Sequence, residues 1–142
     1  MRLLLSILLF CIPLAADLAQ VRAEPNPEKR ARAALDLAER SLKSSRQAYA
    51  AGDAKQTATL LDEVGQSVGL AETSLEATHK NPIKSPKHFK NAEMRTETLE
   101  RKLDGLARDM NFADRPLVEK VRERVQEVHE SLLQGVMVGK KK

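Results

Sequence analysis

Apolar side chains along most of this chain recur at steps of three and four residues, the spacing that gathers them on one face of an α-helix. One such run is Ala31, Leu35, Ala38, Leu42, Ser45 and Tyr49. A second is Thr57, Leu61, Val64, Val68, Ala71, Leu75 and Thr78. A third passes through Phe89, Ala92, Thr96, Leu99, Leu103, Leu106 and Met110, and a fourth through Val118, Val121, Val125, Val128, Leu132 and Gly135. No stretch alternates with a period of two. Each run predicts the a/d seam of a helix that packs along its length against near-parallel neighbours, as in a coiled coil.

The residues between the runs punctuate them. Asn26-Pro27 offers an N-cap followed by proline at the first helical position. Gly52 suits the left-handed residue after a helix, and Asp53 with Gln56 has the form of a capping box, which makes the first connection very tight. Lys80 to Ser85 reads as a loop, with Ser85-Pro86 opening the third helix. Asn111 to Asp114 closes it, with Asp114 as the next cap and Pro116 in the first turn that follows. Four helices of roughly 22 to 27 residues, about 35 to 40 Å long, result. Similar lengths and short connections predict antiparallel neighbours, hence an all-α, up-down four-helix bundle. Two long hairpins that pair by dimerisation are the other architecture, so monomer and homodimer both stay open.

Surface positions add acid-to-base pairs four residues apart: Glu28/Arg32, Asp36/Arg40, Glu39/Lys43, Glu76/Lys80 and Glu97/Arg101. Each is expected to support its own helix by a few tenths of a kcal/mol. Gly65 and Gly69 break the second helix at a four-residue spacing, read as close approach of a neighbouring backbone or as a hinge.

The N-terminus follows a different pattern. Arg2 precedes the apolar run Leu3 to Ala16, and Val21-Arg22-Ala23 supplies a small-residue cleavage site. This is the layout of a secretory signal peptide, too short for a comfortable membrane span. Residues 1–23 are therefore expected to be a leader and 24–142 one bundle domain, periplasmic or secreted. A cut after Ala16 is the alternative. Cys11, the one cysteine, lies in the leader, so the processed chain has no thiol for a disulfide or a metal.

Charge narrows the partners. The whole chain carries +4 at pH 7, and losing Arg2, Arg22 and Asp17 with the leader leaves +3. With aromatics at 3% and no tryptophan, base-stacking platforms are missing, and specific nucleic-acid binding is not expected.

Candidate chemistry is sparse. No seam position carries Asp, Glu, His or Lys, so a buried di-metal centre and its Glu-x-x-His pairs are not expected. Nucleophile-elbow, phosphate-loop and zinc-helix motifs are absent, which argues against an enzyme. His129, between Glu127 and Glu130, reads as solvated. His79 and His88 across the loop allow at most a weak surface metal site, the basis of an alternative reading as a small-ligand or metal carrier. Met110 reads as core. Gln47 to Asp53, with Ala54 and Ala58 after it, resembles the helix-to-helix turn of a tetratricopeptide repeat. The likeness covers under a third of the chain, and no second copy follows at about 34 residues. It is read as shared turn chemistry and implies a tight hairpin.

Topology then concentrates charge. Alternating helices put Lys29, Arg30, Arg32, Lys80, Lys84, Lys87, Lys90 and the tail Lys140, Lys141, Lys142 at one end, beside His79 and His88. Asp53, Asp104, Asp109 and Asp114 fall at the other. The function expected is a non-enzymatic interaction or structural module, without cofactor, whose basic end meets an anionic membrane surface, a polyanion or an acidic protein.

Overall fold

The computed structural model describes residues 14–139, and over them the chain is helical with no strand. Residues 1–13 and the tail Lys140, Lys141 and Lys142 lie outside the described residues. The helices are α1 (Leu14–Arg22), α2 (Pro27–Ala50), α3 (Ala54–Glu76), α4 (Lys87–Asp109) and α5 (Arg115–Val138).

The start signals work unevenly. Asn26 Oδ1 accepts the backbone N–H groups of Glu28 and Lys29, at 3.0 and 3.1 Å, and Pro27 opens α2. Gly52 takes φ +78°, and Asp53 Oδ1 accepts from Gln56 N at 3.0 Å, so three residues suffice between α2 and α3. Asp114 does not cap α5. Its carboxylate instead accepts the Tyr49 hydroxyl at 3.0 Å, because the end of α2 reaches the α4–α5 connection.

The predicted seams form the core. Every named position of the third run is buried, as are Val118, Val121, Val125, Val128 and Leu132 of the fourth. Tyr49, Thr78 and Gly135, at the run ends, are half-buried. The seam hydroxyls turn back on their own helices, Ser45 to Leu42 O at 2.7 Å, Thr57 to Asp53 O at 2.7 Å and Thr96 to Ala92 O at 2.9 Å. They thereby cost little where an unpaired hydroxyl would be expensive.

α2 and α3 carry a second buried stripe. It comprises Ala34, Leu37 and Ser41 on α2, with Leu60, Glu63, Ser67 and Ser74 on α3. A buried acid on this hairpin departs from the expectation of seams free of ionisable groups. The expectation considered one face per helix, whereas this hairpin is covered on two. Helix α1 packs on α2 and α3 and touches neither α4 nor α5. Its Leu18 and Val21 are 7% and 9% exposed and belong to the same core.

The neighbours also differ from a ring in chain order. Ser41 meets Glu63 and Arg30 meets Ser74, so α2 and α3 run antiparallel. Asp104–Arg122 and Glu93–His129 show the same for α4 and α5. Yet α3 and α4, consecutive in the chain, touch little, while α3 lies beside α5 and α2 beside α4. Those lateral pairs are parallel: Glu28–His88, Asp36–Arg95 and Arg46–Asp109 rise together along α2 and α4. Two antiparallel hairpins are stacked like on like. The loop between Glu76 and Lys87 is long enough to cross the diagonal.

Candidate functional site

The start of α2, the end of α3, the following loop and the start of α4 meet at one end. Glu28 is its hub. The carboxylate accepts from Lys80 Nζ and lies 3.0 Å from His88 Nε2. The Lys80 hydrogen bond holds Glu28 below the ordinary carboxylate value, against some desolvation, with His88, Lys80 and Lys87 adding their charges. The expected Glu28/Arg32 pair is therefore not made, nor are the other four i,i+4 pairs among the described residues. Cross-helix partners win these carboxylates: Glu28 goes to α4 and the loop, while Asp36 and Glu39 go to Arg95.

The predicted basic residues divide into two sets. Arg30 turns inward, its Nε donating to Ser74 Oγ at 2.9 Å and its Nη1 to Glu24 O at 2.8 Å, so it braces the fold. Lys80 and His88 are engaged by Glu28. Lys29, Arg32, Lys84, Lys87 and Lys90 are exposed and form no ion pair among the described residues. Lys87 and Lys90 occupy the first turn of α4, which has no side-chain cap. Cations there oppose the helix dipole, so helix stability does not explain them. His79, in the turn three residues beyond α3, takes a left-handed conformation, φ 54°, and is exposed.

Sequence reasoning missed an apolar tip at this end. Pro82 is buried, and a methyl group added at Gly135 would touch it at 3.5 Å. One added at Gly139 would fall 2.9 Å from Ile83 Cδ1, so the loop lies directly against the end of α5. Ile83, Met137 and Val138 are 52%, 72% and 62% exposed. Pro82, Phe89, Leu132 and Val138 also line a cavity of about 240 Å³ behind them. The signal was present in the apolar Val136-Met137-Val138 beyond the last seam position, directly before the lysine tail.

A second hollow of about 560 Å³ runs between α2 and α4, lined by both signs of charge, among them Arg32, Asp36, Lys87 and Arg95. Arg95 crosses it, with Nη2 2.5 Å from Asp36 Oδ1 and Nε 2.8 Å from Glu39 Oε1. Burial works against its charge, and the two carboxylates more than offset that and raise its pKa.

The opposite end is less negative than the sequence suggests. Asp104 pairs with Arg122 at 2.8 Å, Asp109 with Arg46 at 3.6 Å, and Asp114 is held by Tyr49. His129 is not solvated as expected. It packs between α5 and α4, with Nδ1 3.3 Å from Thr96 Oγ1 and 3.2 Å from Glu93 O. Among the described residues no three His, Cys, Asp or Glu side chains gather as a metal-binding group. No described helix is long and apolar enough to cross a membrane. Known protein families, curated proteins and solved structures yield no match to this chain.

Proposed function

We propose that this chain is exported by its N-terminal leader and acts in the periplasm or as a secreted protein, as a non-enzymatic interaction module. In this reading the helical bundle docks its basic end on an anionic membrane surface. The observation that carries it is the company the free lysines keep. Among the described residues Lys29, Lys84, Lys87 and Lys90 are exposed without ion pairs, at the end that also exposes Ile83, Met137 and Val138. A polyanion or an acidic protein would satisfy the lysines and leave the apolar tip in water. A bilayer interface satisfies both, each lysine contributing about 1 kcal/mol near an anionic surface and the apolar side chains entering the headgroup boundary. Lys140, Lys141 and Lys142 follow Gly139 in the sequence and would extend the same charge.

The test is co-sedimentation of the processed chain with anionic and with neutral vesicles across a salt series. Binding is expected to need anionic lipid and to weaken with salt. Replacing Lys84, Lys87 and Lys90 together by Gln should weaken it about 100-fold, three charges at about 1 kcal/mol each. Replacing Ile83 and Met137 by Ser should also weaken it, with little change in salt dependence, since no charge is altered. Binding to a soluble polyanion alone would overturn the membrane reading, and equal binding to neutral vesicles would overturn the anionic-surface reading.

A further inference from the structure

The segment from Asp17 to Ala23 is read from the sequence as the end of the leader, yet Leu18 and Val21 within it belong to the packed body. Leu18 and Val21, three residues apart, share one face of α1 and are both buried in the main core cluster. Arg22 Nη2 reaches Gln66 Oε1 at 3.4 Å, which seats α1 alongside the second stripe of α3. The helix is properly closed: Ala23 N–H donates to Ala19 O, and Glu24 N–H to Val21 O, both at 3.1 Å. The corner into α2 is built as well. Arg30 Nη1 donates to Glu24 O at 2.8 Å, and Asn26 N–H donates to Glu24 Oε1 at 3.1 Å.

A cut after Ala23 would dismantle all of this. It would remove Leu18 and Val21 from the core cluster, and with them the packing of α1 on α2 and α3. It would also create an α-ammonium on Glu24, whose own carbonyl is gripped by the Arg30 guanidinium, and so bring two positive charges together. A cut after Ala16 keeps Leu18, Val21 and the Glu24 corner, and takes from α1 its first three residues. Ala16 supplies the small residue that a leader-cleaving protease needs just before the scissile bond, while Leu14 stands at the other position that is small in an A-x-A site. The new ammonium would then sit on Asp17, beside that residue's own carboxylate and close enough to Glu63 for the two acids to interact.

We propose that processing falls between Ala16 and Asp17, and that the mature protein keeps residues 17–22 as the helix closing the outer face of the α2–α3 hairpin. The proposal rests on the export reading given above and is independent of the basic end.

The experiment expresses the full chain in an exporting host and determines the intact mass and N-terminal sequence of the exported product. Asp17 is expected as the first residue. Ala16→Phe should abolish processing, and Ala23→Phe, at an exposed position, should leave it unchanged. In the exported protein the amides of Val21 and Ala23 should exchange slowly with deuterium, as members of a packed helix. An exported product beginning at Glu24, or processing blocked by Ala23→Phe and not by Ala16→Phe, overturns the proposal while leaving export intact. A product beginning at Asp17 with freely exchanging amides at Val21 and Ala23 overturns the structural role. Retention of Met1 overturns both the proposal and the cleaved-leader reading.

Discussion

The Ser41 hydroxyl donates a 2.5 Å hydrogen bond to Oε1 of Glu63, joining α2 to α3 through a buried carboxylate. Burial holds that carboxyl above its ordinary value of 4.5. The Ser41 bond works the other way, the Asp17 charge adds to the effect of burial, and Arg40 opposes it. The net direction is up, so between 4.5 and the raised value the folded chain binds more protons than the unfolded one. Stability therefore falls as pH rises through that interval, and at neutral pH the ionised form is carried at a cost.

Glu63→Gln keeps an acceptor for Ser41 and removes the charge. Its melting temperature should exceed that of the parent by a few degrees at pH 7, and the gap should close as pH falls toward 4.5. Thermal melts followed by circular dichroism at several pH values check this. A variant less stable than the parent at pH 7 would show that the carboxylate is favourably paired.

The two glycines of α3 make a matched pair of predictions. A methyl group at Gly65 meets nothing within 4 Å, and the helix runs unbroken through it, so no neighbouring backbone requires the glycine. Gly65→Ala should stabilise by about 1 kcal/mol, through helix propensity and a less flexible unfolded chain. At Gly69 the methyl group would fall 3.0 Å from Arg124 Nη2, which also lies 3.6 Å from Glu72. The guanidinium must move, so Gly69→Ala should gain clearly less. Urea denaturation of the two variants measures the difference, and equal gains would mean that Arg124 shifts freely.

Tyr49 ends its seam with a polar task. Its hydroxyl donates to Asp114 Oδ2 and accepts from Asn111 N–H at 2.9 Å, so α2 holds the connection between α4 and α5. Tyr49→Phe should cost about 1 kcal/mol, since Asn111 is exposed and water can replace the lost partner. Hydrogen exchange at the Asn111 amide should accelerate in step. An unchanged rate there would show that the connection holds without Tyr49.

Much of the fold was written in the spacing of Leu99, Leu103 and Val125 and their seam partners, because burial on one helix face leaves a period that sequence preserves. The second face of the α2–α3 hairpin was harder to read. Ala34, Ser41, Ser67 and Ser74 are small or polar, and only Leu37 and Leu60, apolar residues off the main seams, hinted at it. Neighbour choice was not legible, since a seam says which face is buried and not what buries it. The charged site was half legible: position along the helices predicted where Lys84, Lys87 and Lys90 fall. The inward turn of Arg30 and the capture of Lys80 by Glu28 depend on cross-helix geometry that local spacing does not encode.

That geometry is sharpest at Arg95, where a single guanidinium spans the least extensively packed of the lateral helix pairs, α2 and α4. Its side chain is 18% exposed while Asp36 and Glu39 are 54% and 38% exposed, so the cation is sheltered and the anions are wet. Surface ion pairs are usually worth under about 1 kcal/mol, but a shared, partly buried guanidinium also keeps two neighbouring carboxylates from repelling one another. Arg95→Ala should therefore cost about 2 kcal/mol, above the usual range for one exposed pair. Arg95→Lys should recover less than half of it, because one ammonium lacks the fork that meets both acids. Raising the salt should shrink the cost of Arg95→Ala without abolishing it, since screening weakens the repulsion between the acids but does not restore the buried stem. Urea denaturation at low and high salt checks all three expectations. Equal stability of the Ala and Lys variants would reduce Arg95 to a packing residue.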